Sequence, residues 1–458
     1  MRVIICGAGQ VGYGIAERLS SEQHDVTVID IEPKLIEKVR DTLDVRGIVG
    51  HGARPDVLRS AGADEADMLI AVTLSDEVNM VACQVAHALF NVPTKIARVR
   101  DQSYLDPQYQ GLFQRDALPI DVVISPEIEV GEMVLRRIAL PGALDVLYFS
   151  YDEIVALALE CMEDCPVINT PLRQLTDLFP DLLTTVTAVK RGKKLFIAHA
   201  DTELKVGDIT YLVASRTQVR RALGLFGHDE QAANRIIIAG GGHIGLYVAR
   251  AMEKRQHKAQ LRIIEADRAR ALAITDQLDR TVVLNGSALD PAILQEANVD
   301  QADLIVTLTN QDQVNVLSAI MAKMFGCKSN MVLINNMAFQ EFTRTVGIDS
   351  HLNPRSVTIS KVLQQMRRGR IRSVYSVSNG EAEIIEAEAM QTSPLVGKPL
   401  SELELPEGLR IGAIYRDNTM IRPKGDTRVL AGDMVVIFAM ADAVRDVEQL
   451  FRVSLEYF

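Results

Sequence analysis

Residues Val3-Ile4-Ile5-Cys6-Gly7-Ala8-Gly9-Gln10-Val11-Gly12 decide the fold, because their pattern returns as Ile238-Ala239-Gly240-Gly241-Gly242-His243-Ile244-Gly245. Each copy is a G-x-G-x-x-G turn that follows an apolar, strand-like run and opens a stretch with helical spacing. The likeness continues downstream. Gly52 through Leu58 parallels Gly286 through Leu294, Ala66-Asp67-Met68-Leu69-Ile70 parallels Ala302-Asp303-Leu304-Ile305-Val306, and Asp76 with Asn79 matches Asp312 with Asn315. A duplication explains this better than chance.

Working outward, residues 3–6, 11–19 and 26–29 read as strand, helix and strand. Continuous apolar runs at 68–72 and 305–308 suit parallel strands covered by helices on both faces. Residues 79–90 and 315–325 carry apolar side chains at helical spacing and supply those helices. Each copy is therefore expected to be a Rossmann-like α/β domain with a doubly wound parallel sheet. A second repeat lies behind each. Pro171-Leu172-Arg173-Gln174-Leu175 resembles Pro399-Leu400-Ser401-Glu402-Leu403, and Val206-Gly207-Asp208 resembles Ala431-Gly432-Asp433. Short apolar runs at 186–189, 210–213, 411–414 and 434–438, separated by turn residues, read as two small α+β modules. The expected domains are 1–132, 133–228, 229–364 and 365–458, with the main boundary, and a hinge between halves, at the polar segment 229–235.

The glycines point to a nucleotide. Gly7 permits the tight turn, Gly9 lets backbone approach a pyrophosphate, and Gly12 lets helix and strand pack closely; Gly240, Gly242 and Gly245 repeat these roles. The helix starts at Gln10-Val11 and at His243-Ile244, next to Ala8 in the first copy, offer N–H groups to phosphates. Asp30 stands 18 residues after Gly12, and Glu265 stands 20 after Gly245, where a carboxylate accepts from ribose hydroxyls and repels a 2′-phosphate. That favours NAD, or a mononucleotide such as ATP or ADP, over NADP. The alternative is that the glycines serve helix–sheet packing alone. Gly52-Ala53 and Gly286-Ser287 follow the third strand on the ligand-facing edge and are candidates for adenine or ribose contact. Thr73 with Asn79, and Thr309 with Asn315, follow the fourth strand, as hydrogen-bond donors to ligand or equally as helix caps. Arg98 ends the fifth strand as a phosphate partner or a surface ion pair, where the second copy has Ile334-Asn335.

Composition narrows the class. A chain of 458 residues with 48% hydrophobic and 24% charged residues is ordinary globular protein of three or four units. A balance of 49 basic to 60 acidic residues disfavours nucleic acid as a partner. The one basic cluster, Arg367, Arg368, Arg370 and Arg372, reads as a solvated helix end. Five irregularly spaced cysteines suit a reducing cytoplasm, and Cys161 with Cys165 forms no more than half a metal site. No signal-peptide pattern opens the chain, and its apolar runs fall short of the ~20 residues that span a bilayer.

The two glycine turns and the paired modules behind them resemble the TrkA family, peripheral regulatory subunits of bacterial Trk potassium uptake. The resemblance spans nearly the whole chain. It implies RCK domains in cytoplasmic rings at the inner face of the cell membrane, docked beneath a membrane-embedded potassium-transporting Trk subunit. NAD(H) or ATP/ADP would alter ring shape. Relatives often carry Asp directly after the third-strand glycine, whereas Ala53 follows Gly52 and Ser287 follows Gly286 here. Nucleotide gating of a ring calls for a homo-oligomer, and four chains would supply eight nucleotide domains. The competing reading is an NAD-dependent oxidoreductase. It needs a general acid or base, and none of His24, His51, His87, His199, His228, His243, His257 and His351 forms a motif with a downstream Asp.

Overall fold

The apolar run before the first glycine turn forms β1 (Arg2–Cys6), whose last four residues are buried, as a strand covered on both faces requires. The computed structural model describes residues 1–109, 111–255, 258–336, 339, 345–366 and 371–451. In it, β1 joins β2 (Asp25–Asp30), β3 (Arg46–Val49), β4 (Met68–Ala71), β5 (Thr94–Arg98) and β6 (Val122–Ile124) in one sheet of order β3-β2-β1-β4-β5-β6. All pairings are parallel. The strand order reverses between β1 and β4, and the crevice at the carboxyl ends there is where such sheets hold ligands. The helix expected at 79–90 spans Asp76–Phe90, capped by Ser75, whose hydroxyl accepts from the Val78 amide.

The first small module holds β7 (Ala143–Phe149), β8 (Ile154–Glu160), β9 (Thr184–Arg191), β10 (Lys194–Ile197) and β11 (Ile209–Ser215), ordered β10-β9-β11-β8-β7. The second parallel sheet follows with β12 (Arg235–Ala239), β13 (Gln260–Glu265), β14 (Val282–Asn285), β15 (Leu304–Thr307), β16 (Ser329–Leu333) and β17 (Ser350–Leu352), ordered β14-β13-β12-β15-β16-β17. It repeats the first. The second module holds β18 (Ile371–Val377), β19 (Ala382–Glu388), β20 (Leu409–Arg416), β21 (Thr419–Ile421) and β22 (Met434–Met440), in the same topology as the first module. The chain is thus α/β with two Rossmann-like sheets, each followed by an antiparallel α+β module.

The two modules share one core. Phe149 meets Tyr375 edge-on at 5.3 Å, and Tyr211 meets Phe438 at 5.2 Å between ring centres. Buried Glu386 accepts from the Ser150 amide at 2.6 Å and from its hydroxyl at 2.8 Å.

Contacts divide the chain into Met1–Val130 with Pro354–Val362, and the remainder. The segment 229–235 falls within the second of these units. His228 just before it is buried against the Glu160 carbonyl at 2.8 Å, and the amides of Asn234 and Arg235 donate to Asp303 at 3.1 and 3.0 Å. In the first unit, helix Pro354–Met366 lays Arg355 and Ile359 over Gly14, where a Cβ would come 2.8 Å from Ile359 Cδ1, and Arg355 pairs with Glu17 at 3.3 Å. In the second unit, Gly131 of helix Pro126–Ala139 receives Tyr247, whose hydroxyl donates to Glu132 at 2.6 Å. Arg367, Arg368 and Arg370 lie outside the described residues, as does His257. Arg372 stands in β18 rather than at a helix end, paired with Glu388 at 3.0 Å.

Candidate nucleotide site

Each glycine of the first turn meets a different physical demand. Gly7 sits at φ +111°, a conformation side chains resist, and its amide donates to the Ile29 carbonyl at 2.7 Å. A Cβ on Gly12 would overlap the Gly7 carbonyl oxygen and lie 2.9 Å from its carbon, so only glycine lets the helix start this close to the strand. Gly9 differs: among the described residues no atom lies within 4 Å of where its Cβ would be. Protein packing does not require a glycine there, whereas close approach of a phosphate does. Helix Gln10–Ser21 then begins with no side-chain cap and no acidic residue in its first turn. Its free N–H groups and the helix dipole favour an anion.

Asp30, at the end of β2, reaches over this turn. One carboxylate oxygen accepts from the Ala8 amide at 2.6 Å and the other from the Glu32 amide at 2.9 Å. Cys6 lies beneath, its thiol pushed up to about 12 by burial and then by the Asp30 charge, so it is a neutral packing group.

The second turn reproduces the arrangement. Gly240 sits at φ +113°, Gly245 lies where a Cβ would overlap the Gly240 carbonyl oxygen, and Gly242 faces open space. Helix His243–Arg255, opened by His243 and Ile244, also lacks an acidic residue in its first turn. Glu265 accepts from the Gly241 amide at 2.7 Å and from the Asp267 amide at 2.9 Å. A glutamate and an aspartate thus hold equivalent turns.

The other sequence candidates fare differently. Thr73 and Asn79 form a closed clasp. The Thr73 amide and hydroxyl both donate to Asn79 Oδ1, at 2.8 and 2.7 Å, while Asn79 Nδ2 reaches the Thr73 and Arg98 carbonyls. Thr309 and Asn315 repeat it, with Nδ2 on the Leu333 carbonyl at 2.9 Å. Both asparagines are fully buried. They fasten the fourth strand's end to the fifth, and neither serves as the N-cap.

The clasp also fixes the register. Leu333, rather than Ile334-Asn335, occupies the position of Arg98. Arg98 is 9% exposed, with one guanidinium nitrogen on the Thr73 carbonyl at 2.9 Å and Nε without a partner. Burial, followed by the Arg100 charge, lowers its pKa. No ion pair is found for it among the described residues, so the surface ion-pair alternative fails.

The parallel of Gly52 with Gly286 is likewise corrected. Gly286 donates to the Glu265 carbonyl as Gly50 donates to the Asp30 carbonyl, at 3.0 and 2.8 Å. Gly50 is therefore the third-strand glycine of the first copy, and His51 follows it. Two residues more separate Gly52 from the strand end, which sequence matching alone could not register. A Cβ on Gly52 would come 2.8 Å from Cys6 Cβ, so its smallness serves packing. Ala53 packs into the domain core, and the Ser287 hydroxyl accepts from the Leu289 amide at 3.2 Å.

Several residues on this edge escaped the sequence reading. Ile31 and Leu74, at the carboxyl ends of β2 and β4, are 67% and 86% exposed. In the second copy Arg270 Nε donates to the Gly241 carbonyl at 2.9 Å, and Ile274 closes on Gly241. Comparing the two copies position by position, where Leu35 faces Arg270, is the signal that finds the arginine.

The TrkA-N domain family matches residues 3–126 and 236–354, and the TrkA-C domain family matches 384–452. The chain is similar to the Trk system potassium uptake protein TrkA of Azorhizobium caulinodans, 56% identical over 458 residues and covering 100% of both chains. It is 40% identical over 462 residues to the protein of that name from Halomonas elongata, again covering 100% of each. Among solved structures it resembles the GsuK RCK domain, with TM-score 0.60, 17% identity, and 98% and 94% of the two chains covered. It also resembles the GsuK channel bound to NAD, with TM-score 0.60, 16% identity, and 98% and 78% covered.

Proposed function

This chain belongs to the TrkA family of potassium uptake proteins, and from that premise we propose that it is a cytoplasmic nucleotide sensor. Docked at the inner face of the membrane, it gates a membrane-embedded potassium-transporting Trk subunit by binding NAD(H) or ATP/ADP. One observation carries the reading. Gly9 and Gly242 face open space while the glycines around them are demanded by packing, and a phosphate brought against the backbone explains the difference.

The residues fit an adenine dinucleotide. Gly7, Ala8, Gly9 and the first helical turn from Gln10 would hold the pyrophosphate. Asp30 would turn from the Ala8 amide toward ribose hydroxyls, and Arg98 stands on the same sheet edge for a phosphate. Gly240, Gly242, His243, Ile244, Gly245 and Glu265 form the matching set. Bound NAD would act as an effector here, without hydride transfer. The domain division proposed is 1–132, 133–228, 229–364 and 365–458.

Gating requires that NAD and ATP or ADP prefer different shapes of an assembly. Inverting a 1:99 population takes about 5.5 kcal/mol of preference, which a homo-oligomer, four chains in our proposal, divides among its sites. Calorimetry with NAD, NADH, ATP and ADP on the full chain and its Asp30→Ala and Glu265→Ala variants tests the sites. Affinity should fall in the first variant at least, and unchanged affinity in both would sink the ribose assignment. Co-purification with a potassium-transporting membrane subunit tests the partner.

A further inference from the structure

Between the two small modules lies a cavity of about 330 Å³, within the range of small-ligand pockets. Its walls from the first module are mostly apolar and include Leu175, Phe179 and Phe226; the second module contributes Arg410, Arg422 and Lys424. Among the described residues no Asp or Glu lines it, although acidic residues outnumber basic ones, 60 to 49, along the chain. Arg410 donates to the Ala198 carbonyl at 2.7 Å and Arg422 to the Leu182 carbonyl at 3.2 Å. Among the described residues none of the three cations makes an ion pair, and Arg410 Nε has no partner. Burial alone lowers the Arg410 pKa, with no carboxylate opposing it. Arg410 and Arg422 are half-buried and Lys424 is exposed, and a partly desolvated cation without a counter-charge gives up hydration that nothing in the cavity replaces.

The internal repeat shows that the module fold does not need these cations. Val213 pairs with Thr185 in one module as Phe438 pairs with Arg410 in the other. The same alignment sets Ile197 and His199 of the first module opposite Arg422 and Lys424. One module thus carries three cations where its copy carries Thr, Ile and His.

We propose that this cavity binds a small amphipathic anion, its hydrocarbon body against Leu175, Phe179 and Phe226 and its carboxylate or phosphate head among Arg410, Arg422 and Lys424. The head supplies the missing counter-charge, and the body fills the apolar wall. Because residues of both modules line the cavity, occupancy ties the modules together. The inference is independent of the nucleotide reading.

Calorimetry on the full chain with octanoate, octanol and octyltrimethylammonium tests it. Octanoate should bind at least tenfold more tightly than either of the others. The Arg422→Gln/Lys424→Gln double variant should lose at least tenfold in octanoate affinity, and Leu175→Trp, which fills the cavity, should abolish binding. Flotation with phosphatidylglycerol vesicles, lost in the same double variant, would identify a lipid as the source; octanoate binding without flotation would identify a free solute. Octanol binding as tightly as octanoate overturns the proposal, as does no octanoate binding up to millimolar concentration. So does undiminished binding by the double variant. Should that variant fail to fold, Leu175→Trp decides: retained binding refutes the site.

Discussion

At the ligand-facing edge of the first parallel sheet stand Ile31, Leu74 and Arg98; in the second sheet the same positions hold Ala266, Asn310 and Leu333. The second has its own cation, but on the other flank. Arg270 covers the Gly241 carbonyl where the first copy has Leu35. Beneath these differences the two turns coincide, in the φ of Gly7 and Gly240 and in the carboxylate that holds each loop. The duplication kept what backbone geometry demands and changed what a ligand would touch. Two sites of unequal chemistry are the expected result, the first offering exposed apolar contact and a buried arginine.

The strongest way to break this comparison is at the glycines packing requires. Gly12→Ala and Gly245→Ala should each destabilise their own domain by about 3 kcal/mol, since the added methyl overlaps a carbonyl that cannot retreat; calorimetric unfolding measures it. Equal stability in either variant would contradict the packing described.

Gly9→Ala should behave in the opposite way, leaving the unfolding transition in place while weakening NAD about tenfold or more, or 1.4 kcal/mol. Gly242→Ala repeats the test for the second copy. The arginines then sharpen the inequality. Arg98→Leu makes the first edge resemble the second and should weaken nucleotide binding there by about tenfold. Arg270→Leu should affect the second site alone. Equal effects of both changes on one titration phase would show that the sites are not separable.

The smallest effect concerns the segment joining the copies. Burial opposes charging of His228, but its hydrogen bonds to Glu230 and the Glu160 carbonyl outweigh this and raise its pKa above the usual 6.5. A group whose pKa is raised on folding contributes fully below its unfolded value and loses that contribution as pH rises through the folded one. Stability should therefore decline slightly, by less than about 1 kcal/mol, as pH rises from near 6.5 through neutrality. His228→Gln should flatten that slope in urea titrations across this range; an unchanged slope would remove His228 as its cause.

Much of this was legible in the chain itself. Local rules apply to strand, turn and helix start, and the repetition doubled each signal, so Gly7 to Gly12, Asp30 and their counterparts could be read directly. What escaped depended on register or exposure. Pattern matching pairs Gly52 with Gly286 in place of Gly50, because a short offset after a strand leaves no mark in composition. Sequence alone sets Arg98 against Ile334-Asn335, because only the Asn79 and Asn315 clasps reveal which carbonyls are equivalent. Ile31 and Leu74 read as ordinary apolar residues until the fold left them exposed.

The sequence by itself determined the two Rossmann-like sheets, the paired modules and the glycine turns, because φ preference, apolar periodicity and the spacing of an acidic residue are local properties. The family followed from the same residues. Only the tertiary structure decided that Thr73 and Asn79 satisfy each other, that Arg355 and Ile359 seat on Gly14, and that the two modules share one core. It also decided that, among the described residues, three cations meet an apolar wall without a carboxylate. Those facts rest on residues far apart in the chain, and burial, which sets the cost of an unpaired charge or hydrogen bond, exists only once the chain has folded.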